Sequence, residues 1–110
     1  GKTWNAYTYS GDLVFVFEIK NRLDVIGAML SWEKTMPRAF EPLLDKIDLV
    51  APLFEDSIIK NVDARIAHLS QAKNTSLGYS VVLGKYLVIA TSESSLGVMM
   101  ERVIAGPINQ

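Results

Sequence analysis

His68 is the only histidine in the 110-residue chain, and there is no cysteine. A nucleophilic triad built on His68 needs a serine and a carboxylate within hydrogen-bond reach. Serines are plentiful, yet none sits in a G-x-S-x-G turn, the strand-to-helix elbow that exposes a nucleophile. On a strand, His68 reads better as an edge or surface residue than as a general base. The absence of cysteine removes disulfides, thiol catalysis and thiolate metal sites from consideration.

The other chemistry-bearing residues have bland readings that outweigh the sharp ones. Asp45, Asp48, Glu55, Asp56 and Asp63 make the middle of the chain acidic. Paired carboxylates can bind a hard cation or do acid–base work, but no D-x-D-x-D-G loop is present and Lys46 and Lys60 interrupt the run. A solvated loop explains them better. Gly78, Gly84 and the serines at 92, 94 and 95 do not spell G-x-G-x-x-G or a Walker A loop, and Ser92 is better explained as a helix cap than as a phosphate contact. No cofactor and no metal site is expected.

Two aromatic strings remain. Trp4, Tyr7, Tyr9, Phe15 and Phe17 give an aromatic-rich N-terminal hairpin. Aromatics on a sheet can stack bases or sugars, but basic partners for a nucleic acid are lacking. An exposed Trp4–Tyr9 edge could instead add to a neighbouring sheet. Trp32-Glu33-Lys34-Thr35-Met36-Pro37 is the most distinctive string: Trp32 and Met36 anchor a helix end, and Pro37 opens the next helix. The same corner could serve as a docking site. The candidate ligand or docking surface is therefore Trp4, Tyr7, Tyr9, Trp32 and Met36, with no catalytic residue assigned.

The elements that must position these residues follow from periodicity and punctuation. Leu13, Phe15, Phe17 and Ile19 alternate with Val14, Val16 and Glu18 as a strand. Ser10-Gly11-Asp12 turns it back onto Trp4–Tyr9. Asn21 reads as an N-cap with Asp24 in the first turn. Val25, Met29, Trp32 and Met36 form the stripe of an amphipathic helix, widened by Leu23, Ile26 and Leu30, that ends or bends at Met36 before Pro37. A short second helix is expected up to Leu44. Asp45–Asn61 is the least legible stretch and reads as an irregular crossing with one short helical turn. Val62–Leu69 alternates as a strand with Val62, Ala64 and Ile66 inward, and Gln71–Ser76 reads as an exposed turn. Leu77–Leu83 and Tyr86–Thr91 form a hairpin around Gly84-Lys85, the second strand apolar on both faces and hence central. Ser92 caps a final helix with Leu96, Met99, Met100, Val103 and Ile104 on one side, stopped at Gly106-Pro107. Gly97 within it suggests a close helix–sheet approach.

The order ββα(α)βββα, with short links late in the chain, predicts an α+β fold: a two-layer arrangement, mainly antiparallel, with helices packed on one face. At 110 residues, with 49% hydrophobic and 21% charged residues, residues 1–110 make a single domain with a real core. A formal net charge of −1 and scattered lysines and arginines argue against nucleic acid and anionic membrane surfaces. No apolar run reaches the roughly 18 residues of a membrane span. The chain opens Gly1-Lys2, which reads as a domain excised from a longer chain.

Two strings together resemble a known group of proteins: Trp32-Glu33-Lys34-Thr35-Met36-Pro37 after a hydrophobic strand and helix, and Gly78-Tyr79-Ser80-Val81-Val82 followed by Lys85 to Ser92 and a helix. They are similar to the C-terminal extracytoplasmic region of uncharacterised, membrane-anchored bacterial proteins, over most of Leu13–Ala105. The resemblance implies a location outside the cytoplasmic membrane, tethered by a segment outside this sequence. It brings no activity and no functional residues. The expected function is thus a non-catalytic interaction or scaffold module of the cell envelope, with itself or another protein as partner through a sheet edge. The alternative is a small apolar-ligand-binding domain, with a cavity between sheet and helices lined by Met29, Trp32, Tyr79, Met99 and Met100. A hydrolase using His68 is the least favoured reading.

Overall fold

A computed structural model describes residues 3–44, 54–70 and 75–106. Ser10 and Gly11 both take positive φ, 51° and 86°, and close a two-residue hairpin between β1 (Trp4–Tyr9) and β2 (Asp12–Glu18). Asn21 then caps α1 (Arg22–Trp32), its side chain accepting from the Asp24 amide at 3.0 Å. The helix stops at Trp32, four residues short of the predicted Met36. A turn intervenes before α2 (Met36–Ala39), with Pro37 in its first turn, and a single 3-10 turn follows at Glu41–Leu43. The predicted second helix up to Leu44 is therefore two short pieces, as Pro42 requires.

The chain next runs through four consecutive antiparallel strands: β3 (Phe54–Ile59), β4 (Val62–Ser70), β5 (Thr75–Val82) and β6 (Tyr86–Ala90). The sheet order is β1-β2-β6-β5-β4-β3, with every neighbouring pair antiparallel. β6 lies between β2 and β5, the central place its two apolar faces called for. The last element is α3 (Glu93–Ala105), capped by Ser92, whose hydroxyl accepts from the Ser95 amide at 3.0 Å. The α+β class, the open antiparallel sheet and the helices packed on it are as the sequence predicts.

The predicted order and the predicted layering are both corrected. The strand β3 falls within the stretch read as an irregular crossing; Asp45–Leu53 lies outside the described residues. In Phe54–Ile59 each row mixes apolar and charged or polar residues, Phe54, Asp56 and Ile58 on one side and Glu55, Ser57 and Ile59 on the other, so neither row signals a buried face. An edge strand tolerates that mixture because half its surroundings are water. The predicted exposed turn at Gln71–Ser76 is cut short as well: Thr75 and Ser76 already belong to β5, and 71–74 lie outside the described residues.

The second correction concerns the layers. Helices cover both faces of the sheet. Val14, Val16, Ala64, Ile66, Val82, Val88 and Ala90 pack beneath Leu96, Met99, Met100 and Val103 of α3. The alternate rows, including Phe15, Phe17, Leu77, Tyr79, Leu87 and Ile89, pack with Val25, Met29, Trp32, Met36 and Phe40 on the opposite side. The reason is in the strands themselves: β2 and β6 carry apolar residues in both rows, and each row needs cover. On the α3 side small residues set the spacing. A Cβ at Gly78 would strike Ile66 Cδ1 and lie 3.1 Å from Leu96 Cδ2, and one at Gly97 would lie 3.2 Å from Ile59 Cγ2. The close approach predicted from Gly97 is thus made against the β3–β4 hairpin. No helix among the described residues is long and apolar enough to cross a membrane.

Candidate functional site

A row of polar side chains crosses the α1 face of the sheet where β3, β4 and β5 lie side by side. Asp56 pairs in register with Arg65, and Arg65 with Tyr79. Directly opposite residues share a face, so the three side chains stand in line. Glu33, the residue that ends α1, drops onto this row. Its two carboxylate oxygens accept from Arg65 Nε and Nη2, both at 2.8 Å, and Tyr79 donates its hydroxyl to the same carboxylate at 2.5 Å. Arg65 Nη1 donates to Asp56 at 2.9 Å. One guanidinium therefore serves two carboxylates, in the bidentate geometry that suits it.

Electrostatics follow the burial. The Glu33 side chain is only 12% exposed and Arg65 26%, whereas Asp56 is 92% exposed. Burial pushes the Glu33 carboxyl upward, but the hydrogen bonds from Arg65 and Tyr79 and the Arg65 charge outweigh it, and the net shift is below the ordinary carboxylate range. Arg65 is held further into its charged form, first by its hydrogen bonds to Glu33. Tyr79 is raised, first by burial and then by its bond to Glu33, so its hydroxyl stays a donor and is not primed as a nucleophile.

Beside this row lies a groove of about 660 Å³. One wall is the Arg22, Ile26 and Leu30 stripe of α1, residues four apart that share a side. The floor and the far wall come from Asp56 and Ile58 of β3, Asp63 and Arg65 of β4, and Tyr79 and Val81 of β5. Leu30 and Ile58 are large apolar residues left 46% and 72% exposed at its rims. The predicted breadth of the α1 stripe is what fails here: Leu23 and Leu30 are exposed, and only Met29 is fully buried.

The predicted site residues do not converge. Trp4 stacks on Phe17 at 6.4 Å on the α1 face, whereas Tyr7 packs against the α3-side core and Tyr9 is exposed. Trp32 lies against Phe40 at 5.8 Å, and Met36 and Pro37 are buried, so the Trp32–Pro37 corner is a helix anchor. Met99 and Met100 are core residues under α3, on the opposite face from Met29, Trp32 and Tyr79. Those five residues cannot line one cavity, and of them only Tyr79 reaches the groove.

His68 is exposed, and its Nδ1 lies 3.2 Å from Ser76 Oγ, its register partner across β4 and β5. The two line a depression of about 350 Å³ with Ser92, Glu93 and Ser94 at the start of α3. The nearby hydroxyls are engaged in structure: Ser92 caps α3 and donates to Ser95 Oγ at 2.9 Å, and Ser95 donates to Asp12 Oδ2 at 3.0 Å. Thr91 Oγ1, 3.3 Å from Asp12 Oδ1, completes the link that ties α3 to β2. Of the acidic middle, Asp45 and Asp48 lie outside the described residues, and among the described residues no group of three ligating side chains could hold a metal ion.

The Glu33–Arg65–Tyr79 cluster is the feature that sequence reasoning missed. One signal was present. Arg65 stands on the same row of β4 as Ala67 and Leu69, both buried, and an arginine beside them needs a partner. Comparison with protein-family models and with curated proteins gives no match.

Proposed function

We propose that the chain is a non-catalytic interaction module that pairs with a protein, in the first instance a second copy of itself, through the outer edge of β1. The observation that carries this reading is the contrast between the two edges of the sheet. β1 reads WNAYTY, with no charge and no proline, and pairs with β2 over six successive residues without a bulge. β3 carries Glu55 and Asp56, the kind of charge that keeps an edge from recruiting a strand. The Glu18 amide donates to Thr3 O at 2.7 Å, which turns the Thr3 backbone toward β2. By alternation the Ala6 and Thr8 backbone groups turn outward. A two-fold pairing centred on Ala6 keeps the faces of both sheets aligned. The engaged serines and the raised Tyr79 support a role without catalysis. A place in the cell envelope rests on the resemblance of the Trp32–Pro37 and Gly78–Ser92 strings.

Light scattering on a sizing column across a concentration series tests the reading. The expected result is a dimer that Ala6→Pro converts to monomer, because proline removes an outward N–H without breaking the bonds to β2. Thr8→Lys should act the same way by placing charge on the edge. A wild-type monomer at high concentration, or a dimer indifferent to both variants, overturns it.

A further inference from the structure

We infer that the groove between α1 and strands β3 to β5 is a binding site for a small cationic amphiphile, an alkyl or similar apolar body ending in an ammonium group. The shape and charge of the groove argue for this independently of the β1 edge. The Arg22–Ile26–Leu30 stripe runs roughly 12 Å along the helix, so the groove is elongated. Its middle is apolar: Ile26 and Leu30 face Ile58 and Val81. Its volume falls in the range of small-ligand sites.

Charge selects the head group. Arg65 is already held by two carboxylates, through two bonds to Glu33 and one to Asp56. That cluster carries one negative charge in excess. Asp63, in register opposite Ile58, adds another, and among the described residues its carboxylate has no ion-pair partner. Among the described residues that line the groove, Arg22 is the one cation besides Arg65; its side-chain stem lies against Gly84 at the turn between β5 and β6. The floor therefore repels an anionic head and favours a cationic one, placed between Asp63 and Asp56 with its chain along Ile26 and Leu30. Asp56 is almost wholly exposed and can turn toward an incoming ammonium without breaking the Glu33–Arg65 pair.

The test is a titration of isotopically labelled protein, followed by amide shifts, with octylammonium, octanoate and octanol in parallel. Octylammonium should move the amides of Ile26, Ile58, Asp63 and Val81 and bind about tenfold more tightly than octanoate or octanol. Asp63→Asn should remove most of that preference while leaving the fold unchanged, since the carboxylate makes no bond within the described protein. The Asp63 carbonyl, which accepts from Ser80 Oγ at 2.7 Å, is retained in that variant. Shifts that map elsewhere, no saturable binding, or octanoate and octanol binding as well as octylammonium overturn the inference. Running the same titration on Ala6→Pro separates this site from the β1 edge: the groove should bind equally well in the monomer.

Discussion

The two faces of one sheet are finished in different ways. Beneath α3 the contacts are apolar and close, set by Gly78, Ala64, Ala90 and Gly97, and the helix buries Leu96, Gly97, Met99, Met100 and Val103. On the α1 side the contacts are aromatic, Phe15 against Phe40 and Trp32 against Phe40, and Met29 is the one α1 residue that is buried. Where α1 stops covering the sheet, a salt-bridged row takes over and a groove remains. Tight packing stabilises a surface by leaving no room on it. The looser face keeps room for a ligand and depends on specific polar bonds to hold its helix in place.

The largest test of that contrast is a pair of leucine truncations. Leu96 is 0% exposed and Leu30 46%. Leu96→Ala should cost about 3–5 kcal/mol, since the lost transfer free energy is joined by a cavity that the surrounding small residues cannot fill. Leu30→Ala should cost less than about 1 kcal/mol, because much of its side chain is already in water. Urea denaturation of both variants measures the difference. Near-equal losses would mean that the two faces contribute alike.

A smaller effect is expected from the polar row. Arg65→Met leaves Glu33, with most of its surface out of water, facing only the Tyr79 hydroxyl, and should cost about 2 kcal/mol. The same bond has a pH signature. The Glu33 carboxyl is lowered in the folded state, so its contribution is fully present above the unfolded-state value, about 4.3. It is lost as the pH falls through the lower, folded-state value. Stability measured from pH 7 to pH 3 should fall more steeply for the wild type than for Glu33→Gln. A parallel decline in the two would remove Glu33 from the account.

The difference between the faces also marks how far the sequence could be read. β2, β6 and α3 were legible because their periodicity, caps and turn residues agree: Val14 and Val16 alternate with Phe15 and Phe17, Ser92 caps, and Gly106 follows the last turn. β3 was not, because its two acids sit on different rows and blur the alternation. The two-sided cover was written in the doubly apolar rows of β2 and β6. The candidate site was illegible for a different reason. Glu33 and Arg65 are 32 residues apart and Glu33 and Tyr79 are 46 apart. The β4–β5 register sets Arg65 beside Tyr79, the end of α1 brings Glu33 onto both, and no local spacing encodes either placement. The residues singled out instead, Trp32 and Met36, are where packing concentrates, and side-chain type alone cannot separate packing from recognition.

The smallest expected effect is the most discriminating for the view that burial gives the Glu33–Arg65 pair its weight. Lys60 and Glu101 form the ion pair on the α3 side, 3.7 Å apart with side chains 46% and 67% exposed. Water screens both charges, and two long side chains lose rotamer freedom to meet. Glu101→Gln should therefore change stability by less than about 0.5 kcal/mol. Lys60 has a second role in the β3–β4 turn, where it and Asn61 take φ of 54° and 65° and its stem lies against Gly97. Substituting Glu101 alone leaves that turn intact. A double-mutant cycle between Lys60→Met and Glu101→Gln isolates the pair from the turn. If its coupling matched that of Arg65→Met with Glu33→Gln, charge alone would explain both pairs. A coupling several times smaller assigns the difference to burial and bidentate geometry, the two properties that Lys60 and Glu101 lack.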